Sequence, residues 1–240
     1  SEFAKEGILR AANLIHEMVP TCRMSVLVDV YPLKEVQYKT GVSLSNINSL
    51  LGSSYKTEDV ERTLASMHFS FEKLSPLNKI NDLIQKVVGV PYKRGASVLY
   101  DGGKAFDCSS LVSWMYKEAG ITVPRISVDQ HVFTERVEKD DLRIGDLVFA
   151  NTGEGEIYTE SVDYLPKTKV PQGVDHVGMF IGEGKVLHAT KVAGAVVIVE
   201  SLDDFSKTRM ITGYGRVEND LSLERFVVTV PYERLDIRIK

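Results

Sequence analysis

Residues 107–120, Asp107-Cys108-Ser109-Ser110-Leu111-Val112-Ser113-Trp114-Met115-Tyr116-Lys117-Glu118-Ala119-Gly120, start polar, continue as an apolar-periodic run and close on glycine. This pattern predicts a helix with Cys108 in its first turn. Backbone N–H groups at a helix start lack partners and the macrodipole places partial positive charge there, so a thiolate at that position is favoured. A free thiol titrates near roughly 8.5, and such sites reach about 3.5–7.5. The expectation is a nucleophile. The competing reading is a helix-start cysteine that packs as a small hydrophobe.

Two histidines downstream favour the nucleophile. Gly145-Asp146-Leu147-Val148-Phe149, His176-Val177-Gly178-Met179-Phe180-Ile181-Gly182 and Lys185-Val186-Leu187-His188-Ala189-Thr190 all read as strands. A three-residue hairpin loop, Gly182-Glu183-Gly184, sets Ile181 opposite Lys185 and His188 opposite Gly178. His188 then shares a sheet face with His176 and lies diagonal to it, while Val177, Met179 and Leu187 turn to the other face as core. Cysteine, base and a group that orients the base form a constellation for nucleophilic catalysis. His16, His68 and His131 read as structural, and no Cys/His cluster has zinc-ligand spacing.

The chain of 240 residues is long enough for one large or two small domains. Its 43% hydrophobic and 26% charged content is that of a globular protein, and no apolar run approaches the roughly 18 residues of a membrane span. A net charge of -4 argues against a broad nucleic-acid surface. Two cysteines, Cys22 and Cys108, make no disulfide framework, which points to a reducing compartment. Ser1-Glu2-Phe3 reads as a cloning remnant, and the chain as an excised piece without a secretion signal.

The two ends of the chain read as one small unit. Residues 4–18 carry Ile8, Leu9, Ala12, Leu14, Ile15 and Met18 at helical spacing, with Pro20 as the stop. Residues 25–30 and 36–40 are β-type runs. Ser43 caps a helix over 44–51 that Gly52 ends, Thr57 and Asp59 open another to Met67, and a strand begins at Phe69. The strand this winged-helix-like unit lacks is supplied at the far end by residues 225–230. Residues 8–18, Asp29-Val30-Tyr31-Pro32, Asn46, Leu50-Leu51-Gly52, Val60, Leu64, Met67, Phe69, Phe71, then Val228-Thr229-Val230-Pro231, Arg234 and Asp236-Ile237 resemble, in order, the fifth B domain of the bacterial phenylalanyl-tRNA synthetase β subunit. The resemblance implies the rest of that synthetase, its α and β subunits, as partner; the synthetase active site is not in this chain.

Between the ends, residues 76–88 read as a helix with Leu77, Ile80, Leu83, Ile84, Val87 and Val88 on its apolar side. Gly89-Val90-Pro91-Tyr92, the cysteine helix, Pro124-Arg125-x-Ser127-x-x-Gln130, Gly145-Asp146, the two histidine strands and Gly213-Tyr214-Gly215-Arg216 follow. This series resembles the NlpC-type, papain-like cysteine peptidases that cut cell-wall peptides. The resemblance implies Cys108 as nucleophile, His176 as general base, His188 as its orienting residue and Tyr92 as an oxyanion donor. It implies that Asp107 and Ser109 line the site for a substrate amine. No cofactor or metal is expected. Ser110 stands where the family usually has Gly. Residues 150–174 make a long excursion into the His176 strand, the kind of segment that serves as a lid or specificity element.

The expected fold is α+β. A papain-like peptidase domain, helices packed on an antiparallel sheet, at residues 75–222 is inserted in a winged-helix-like unit formed by residues 1–74 and 223–240. The expected activity is hydrolysis of γ-D-glutamyl-diamino acid bonds in muropeptide-like peptides, in the cytoplasm and without a membrane. Two alternatives stand beside it: an inert binding insertion, and a thiol hydrolase of aminoacyl esters. The second would need tRNA as a partner, and the lack of a basic stripe weakens it.

Overall fold

The structure, a computed structural model, describes residues 2–23, 25, 38–155, 158–160, 169–192 and 194–230. All but the first residue of the β-run expected over 25–30, the start of the one over 36–40, the motif at 29–32 and residues 231–237 lie outside the described residues, as does most of 156–168.

Helix α1 (Glu2–Met18) is followed by β1 (Tyr38–Ser43), α2 (Leu44–Leu51), α3 (Thr57–Ser66) and β2 (Ser70–Leu74). Ser43 accepts the Asn46 N–H at the start of α2, and Gly52 closes it in the left-handed conformation. Helical period made α1 without burying it: Ile8, Leu9, Leu14, Ile15 and Met18 all face solvent. The last described strand, β11 (Arg225–Val230), lies between β1 and β2 and pairs antiparallel with both, Gly41 opposite Val227 and Phe71 opposite Val228. The polypeptide therefore leaves this three-stranded sheet after β2 and returns to its centre at β11. Leu77 N–H donates to the Leu221 carbonyl at 2.8 Å where the outgoing and returning segments meet.

Between these strands lie α4 (Pro76–Val87), α5 (Cys108–Glu118), α6 (Ser127–Phe133), β3 (Glu135–Arg136), a 3-10 turn (Lys139–Asp141), β4 (Leu147–Asn151), β5 (Tyr158–Glu160), β6 (Lys169–Val174), β7 (His176–Phe180), β8 (Lys185–Ala189), β9 (Val197–Ser201), α7 (Leu202–Thr208) and β10 (Met210–Arg216). Six of the strands form an antiparallel sheet in the order β3-β10-β4-β7-β8-β9. The fold is α+β. Residues 169–174, the end of the long excursion into the His176 strand, form β6, paired among the described residues with the short β5. A two-stranded ribbon is all edge, where the missing N–H of Pro171 is tolerated.

One sheet face carries the main core. Ile80, Leu83, Ile84 and Val87 of α4 and Leu111, Val112, Met115 and Tyr116 of α5 pack with Leu147, Phe149, Val177, Met179 and Leu187. Val88, expected on the apolar side of α4, caps that helix and is exposed. The four α5 residues are at most 1% exposed, and each such burial is worth about 1.5–3 kcal/mol, against about 1 kcal/mol for a helix cap. Packing thus holds α5 on the sheet, and the cap fixes where it begins. On the opposite face Val148, Ala150 and Val186 meet Leu202 and Phe205 of α7. A buried ion pair ties the two sheet motifs together: Arg216 Nε and Nη2 donate to the Asp146 carboxylate at 2.9 and 2.7 Å.

Candidate active site

Helix α5 starts where a carboxylate stops the preceding extended chain. Asp107 Oδ1 accepts the Ser110 N–H at 2.8 Å, and Ser110 Oγ accepts the Asp107 N–H at 2.9 Å, a reciprocal capping box. Ser110, the residue that departs from the family pattern, therefore supplies a cap that glycine has no atom to make. Cys108 follows as the first helical residue and is partly buried.

The Val177 and Ser109 N–H groups lie beside its sulfur and favour the thiolate, while the thiol points to the Asp175 carbonyl oxygen at 4.0 Å. The thiol thus lies over the backbone on both sides of His176. Tyr92 reaches the same place because its N–H bonds to the Ala195 carbonyl at 2.7 Å and its flank bridges to Phe106, just before the cap. Tyr92 is half-buried; burial, then Cys108 and Asp107, raise its pKa, so the phenol keeps its proton as a donor.

The hairpin between β7 and β8 has Met179 opposite Leu187 and Phe180 opposite Val186, with Lys185 N–H closing on the Gly182 carbonyl at 2.9 Å. This register puts Gly178 opposite His188. A side chain at Gly178 would meet the His188 Cβ at 3.3 Å and a Val186 methyl at 2.4 Å, so only glycine lets the two strands keep the histidines together. His176 Nε2 and His188 Nδ1 are 3.0 Å apart, with the rings edge to face. With Nε2 engaged, Nδ1 is the His176 nitrogen left to take a proton.

The next links carry no signal in the sequence pattern. His188 Nε2 lies 2.8 Å from Glu200 Oε1, and Arg209 Nη1 donates to the same oxygen at 2.7 Å. Phe205 stacks on His176 at 5.8 Å and meets His188 edge-on at 5.1 Å. On the other side of the cysteine, Arg125 Nη2 pairs with Asp107 Oδ2 at 2.6 Å and its Nη1 donates to Ser109 Oγ at 2.9 Å. Gln130 Nε2 donates to the Ser109 and Pro124 carbonyls and to Ser113 Oγ. Asp107 and Ser109 are buried and already partnered, both by Arg125. His131, although next to Gln130 in the chain, turns the other way and packs edge-on against Phe149. His16 and His68 belong to α1 and to the turn before β2.

The electrostatics differ from those of an exposed helix start. Burial first, and the Asp107 carboxylate second, push the Cys108 thiol up to about 11, against the Val177 and Ser109 N–H groups and Arg125. Desolvation of the thiolate outweighs the helix terminus, so the expected low pKa is corrected: the resting group is a thiol. Burial lowers the pKa of both histidines; the Arg209 charge adds to this at His176, and His176 and then Arg209 add at His188. The resting pair is neutral.

A stability prediction follows from the sign of these shifts. Above the ordinary value of 6.5 the folded and unfolded chains both hold these histidines neutral. Below it only the unfolded chain takes up the protons, so the stability is fully present above about 6.5 and is lost as pH falls. Each histidine contributes a slope of about 1.4 kcal/mol per pH unit. Urea midpoints measured from pH 7 to 5 are expected to fall, and His188→Gln to reduce the slope. Equal slopes in the two proteins would refute this.

Among the described residues no helix is long and apolar enough to cross a membrane. The chain is 35% identical over 105 residues to the bifunctional muramidase/DL-endopeptidase CwlT of Bacillus subtilis, covering 43% of this chain and 26% of that protein. It is 31% identical over 137 residues to the γ-DL-glutamyl hydrolase of the same organism, covering 56% and 28%. It thus spans about a quarter of the length of those relatives. A solved NlpC/P60 family protein from Bacillus cereus aligns with a TM-score of 0.44 at 28% identity over 59% of this chain and 40% of that one. The NlpC/P60 family model matches residues 89–214, a span holding the cysteine, both histidines, Tyr92 and Glu200. Since that match takes in more than half of the chain, the chain belongs to the NlpC/P60 family.

Proposed function

We propose that the chain is a cysteine endopeptidase that hydrolyses γ-D-glutamyl-diamino acid bonds of peptidoglycan-derived peptides, small muropeptides in the cytoplasm being its substrates. The observation that carries this reading is the thiol seated over the backbone around His176 while the far nitrogen of that ring is tied to His188. The family supports the hydrolase, and two relatives named as a DL-endopeptidase and a γ-DL-glutamyl hydrolase support the bond.

In this mechanism the substrate carbonyl lies against Cys108. As the Cys108 sulfur bonds to the carbonyl carbon, the thiol proton passes to His176 Nδ1. A neutral thiol and a neutral imidazole suit this concerted transfer better than a standing ion pair. The oxyanion is held by the Cys108 N–H, free as a first-turn donor, and by the Tyr92 hydroxyl. Collapse breaks the C–N bond, and His176 returns the proton to the leaving amine. Water then adds to the thioester, giving its proton to His176; the C–S bond breaks and the thiol is restored. Asp107 and Ser109, oriented by Arg125, line the side where the amine end of the substrate sits.

Residues 1–74 and 223–240 are proposed as a winged-helix-like unit akin to the fifth B domain of the phenylalanyl-tRNA synthetase β subunit, with residues 75–222 inserted in its wing. What favours the insertion is the position of β11 between β1 and β2.

The activity is tested with a synthetic peptide carrying one γ-D-glutamyl-diamino acid bond and a twin carrying the α-L-glutamyl bond. Mass spectrometry is expected to show scission of the first at that bond and an intact second. Cleavage of the α-L twin alone would sink the assignment.

A further inference from the structure

We propose that Glu200, held by Arg209, fixes the proton positions along the histidine pair and so presents His176 to the thiol as a base. The inference rests on reading Cys108 and His176 as nucleophile and base, and adds two positioning residues behind them.

The argument is one of donors and acceptors. An ionised carboxylate can only accept, so the contact of 2.8 Å between Glu200 Oε1 and His188 Nε2 places the His188 proton on Nε2. A neutral imidazole has one N–H, which leaves His188 Nδ1 as an acceptor. The contact of 3.0 Å to His176 Nε2 must then be donated by His176. The single proton of neutral His176 is therefore on Nε2, and its Nδ1 is bare. Each step is forced by the one before it, and the first is forced by the carboxylate.

Arg209 holds Glu200 in place, its Nη1 donating to Glu200 Oε1 at 2.7 Å. It is 8% exposed, and its guanidinium lies 4.6 Å over the Phe205 ring. Its Nη1 also reaches the Phe205 carbonyl at 3.4 Å and Thr208 Oγ1 at 3.2 Å. Phe205 in turn packs on both imidazoles, so the cation, the carboxylate and the two rings form one packed unit from β7, β8, β9 and the end of α7. Glu200 has a second effect once His176 is protonated. The charged groups acting on His176 are Arg209 and Asp175, and those acting on the thiol are Asp107 and Arg125. Without the Glu200 charge, Arg209 faces the new imidazolium uncompensated, and proton transfer from the thiol becomes harder.

The test is the rate and pH profile of Cys108 alkylation by iodoacetamide in the whole chain, for wild type, His176→Ala, Glu200→Ala and Glu200→Gln. Cys22, the other free cysteine, is replaced by serine throughout. At pH 7 Glu200→Ala is expected to react about 10- to 100-fold more slowly, the range for loss of an outer-shell partner, with the profile displaced to higher pH. Glu200→Gln keeps an acceptor oxygen and the side-chain shape but no charge, so it is expected to fold normally and fall between the two. Nitrogen-15 spectra of the imidazoles are expected to show a single Nε2–H form of His188 in wild type and a mixture of tautomers in Glu200→Ala. If both Glu200 variants keep the wild-type rate, profile and tautomer, the inference is overturned, provided that His176→Ala is slowed. If His176→Ala also reacts like wild type, the nucleophile-base reading itself fails.

Discussion

Cys108→Ala is expected to reduce hydrolysis of the γ-D-glutamyl peptide on the order of 10⁴-fold or more, while the unfolding free energy from urea titration stays within about 0.5 kcal/mol of wild type. The loss is large because no other group takes over covalent attack: His176, left without a thiol, could at best direct water, and its pKa is depressed by burial. The small effect on stability comes from what fixes the helix start. The capping box between Asp107 and Ser110 does not involve the Cys108 side chain, and alanine is a good helix former at the first helical position. Cys108→Ser separates chemistry from packing, since it keeps an atom beside the Val177 and Ser109 N–H groups but a far weaker acid than a thiol. It is expected to be as inactive as alanine. Turnover by Cys108→Ala at a rate near wild type, with purity checked by mass, would remove the covalent mechanism.

The parts of this site that the sequence displays are those set by local rules. Asp107 before an apolar-periodic run ends in a capped helix start, and glycines at 182 and 184 set a hairpin whose register delivers His188 beside His176. What the sequence conceals depends on non-local geometry. Glu200 sits diagonal to His188 across the β8–β9 pair, where His188 faces Ile198, but the connection over residues 190–196 is irregular and gives no register to count. Arg209 follows a helix that starts directly from β9, so its return toward Glu200 depends on how α7 packs across the sheet face. At the thiol two effects oppose each other: a helix start favours the thiolate, burial disfavours it, and only the folded arrangement reveals that burial is the larger. Helix α1 shows the reverse limit. Its apolar period predicts the helix but not what covers it, and its large apolar side chains are exposed.

Gly41→Val is expected to destabilise the chain by about 3 kcal/mol or more, because the substitution falls where two backbones touch. A Cβ at Gly41 would lie 2.2 Å from the Gly120 carbonyl oxygen and 2.5 Å from its Cα, and backbone cannot swing aside as a side-chain tip can. The contact is reciprocal. Gly120 has a φ of +76°, and a Cβ there would meet a Val227 methyl at 2.6 Å. The end of the cysteine helix thus rests directly on the three-stranded sheet at the point where Gly41 pairs with Val227. To relieve the clash, β1 must withdraw from α5, exposing Phe226, Val227 and Val228, each at most 8% exposed in the native fold. Gly7→Ala in α1, where nothing lies within 4 Å, is the matched control and is expected to leave the midpoint unchanged or slightly raised. Activity per folded molecule is expected to survive in Gly41→Val, since Cys108 lies at the opposite end of α5, about 18 Å from the seam at 1.5 Å per residue. A wild-type urea midpoint in Gly41→Val would show that the sheet and the helix do not bear on each other. A midpoint lowered together with kcat per folded molecule would instead mean that the seam sets the position of the nucleophile.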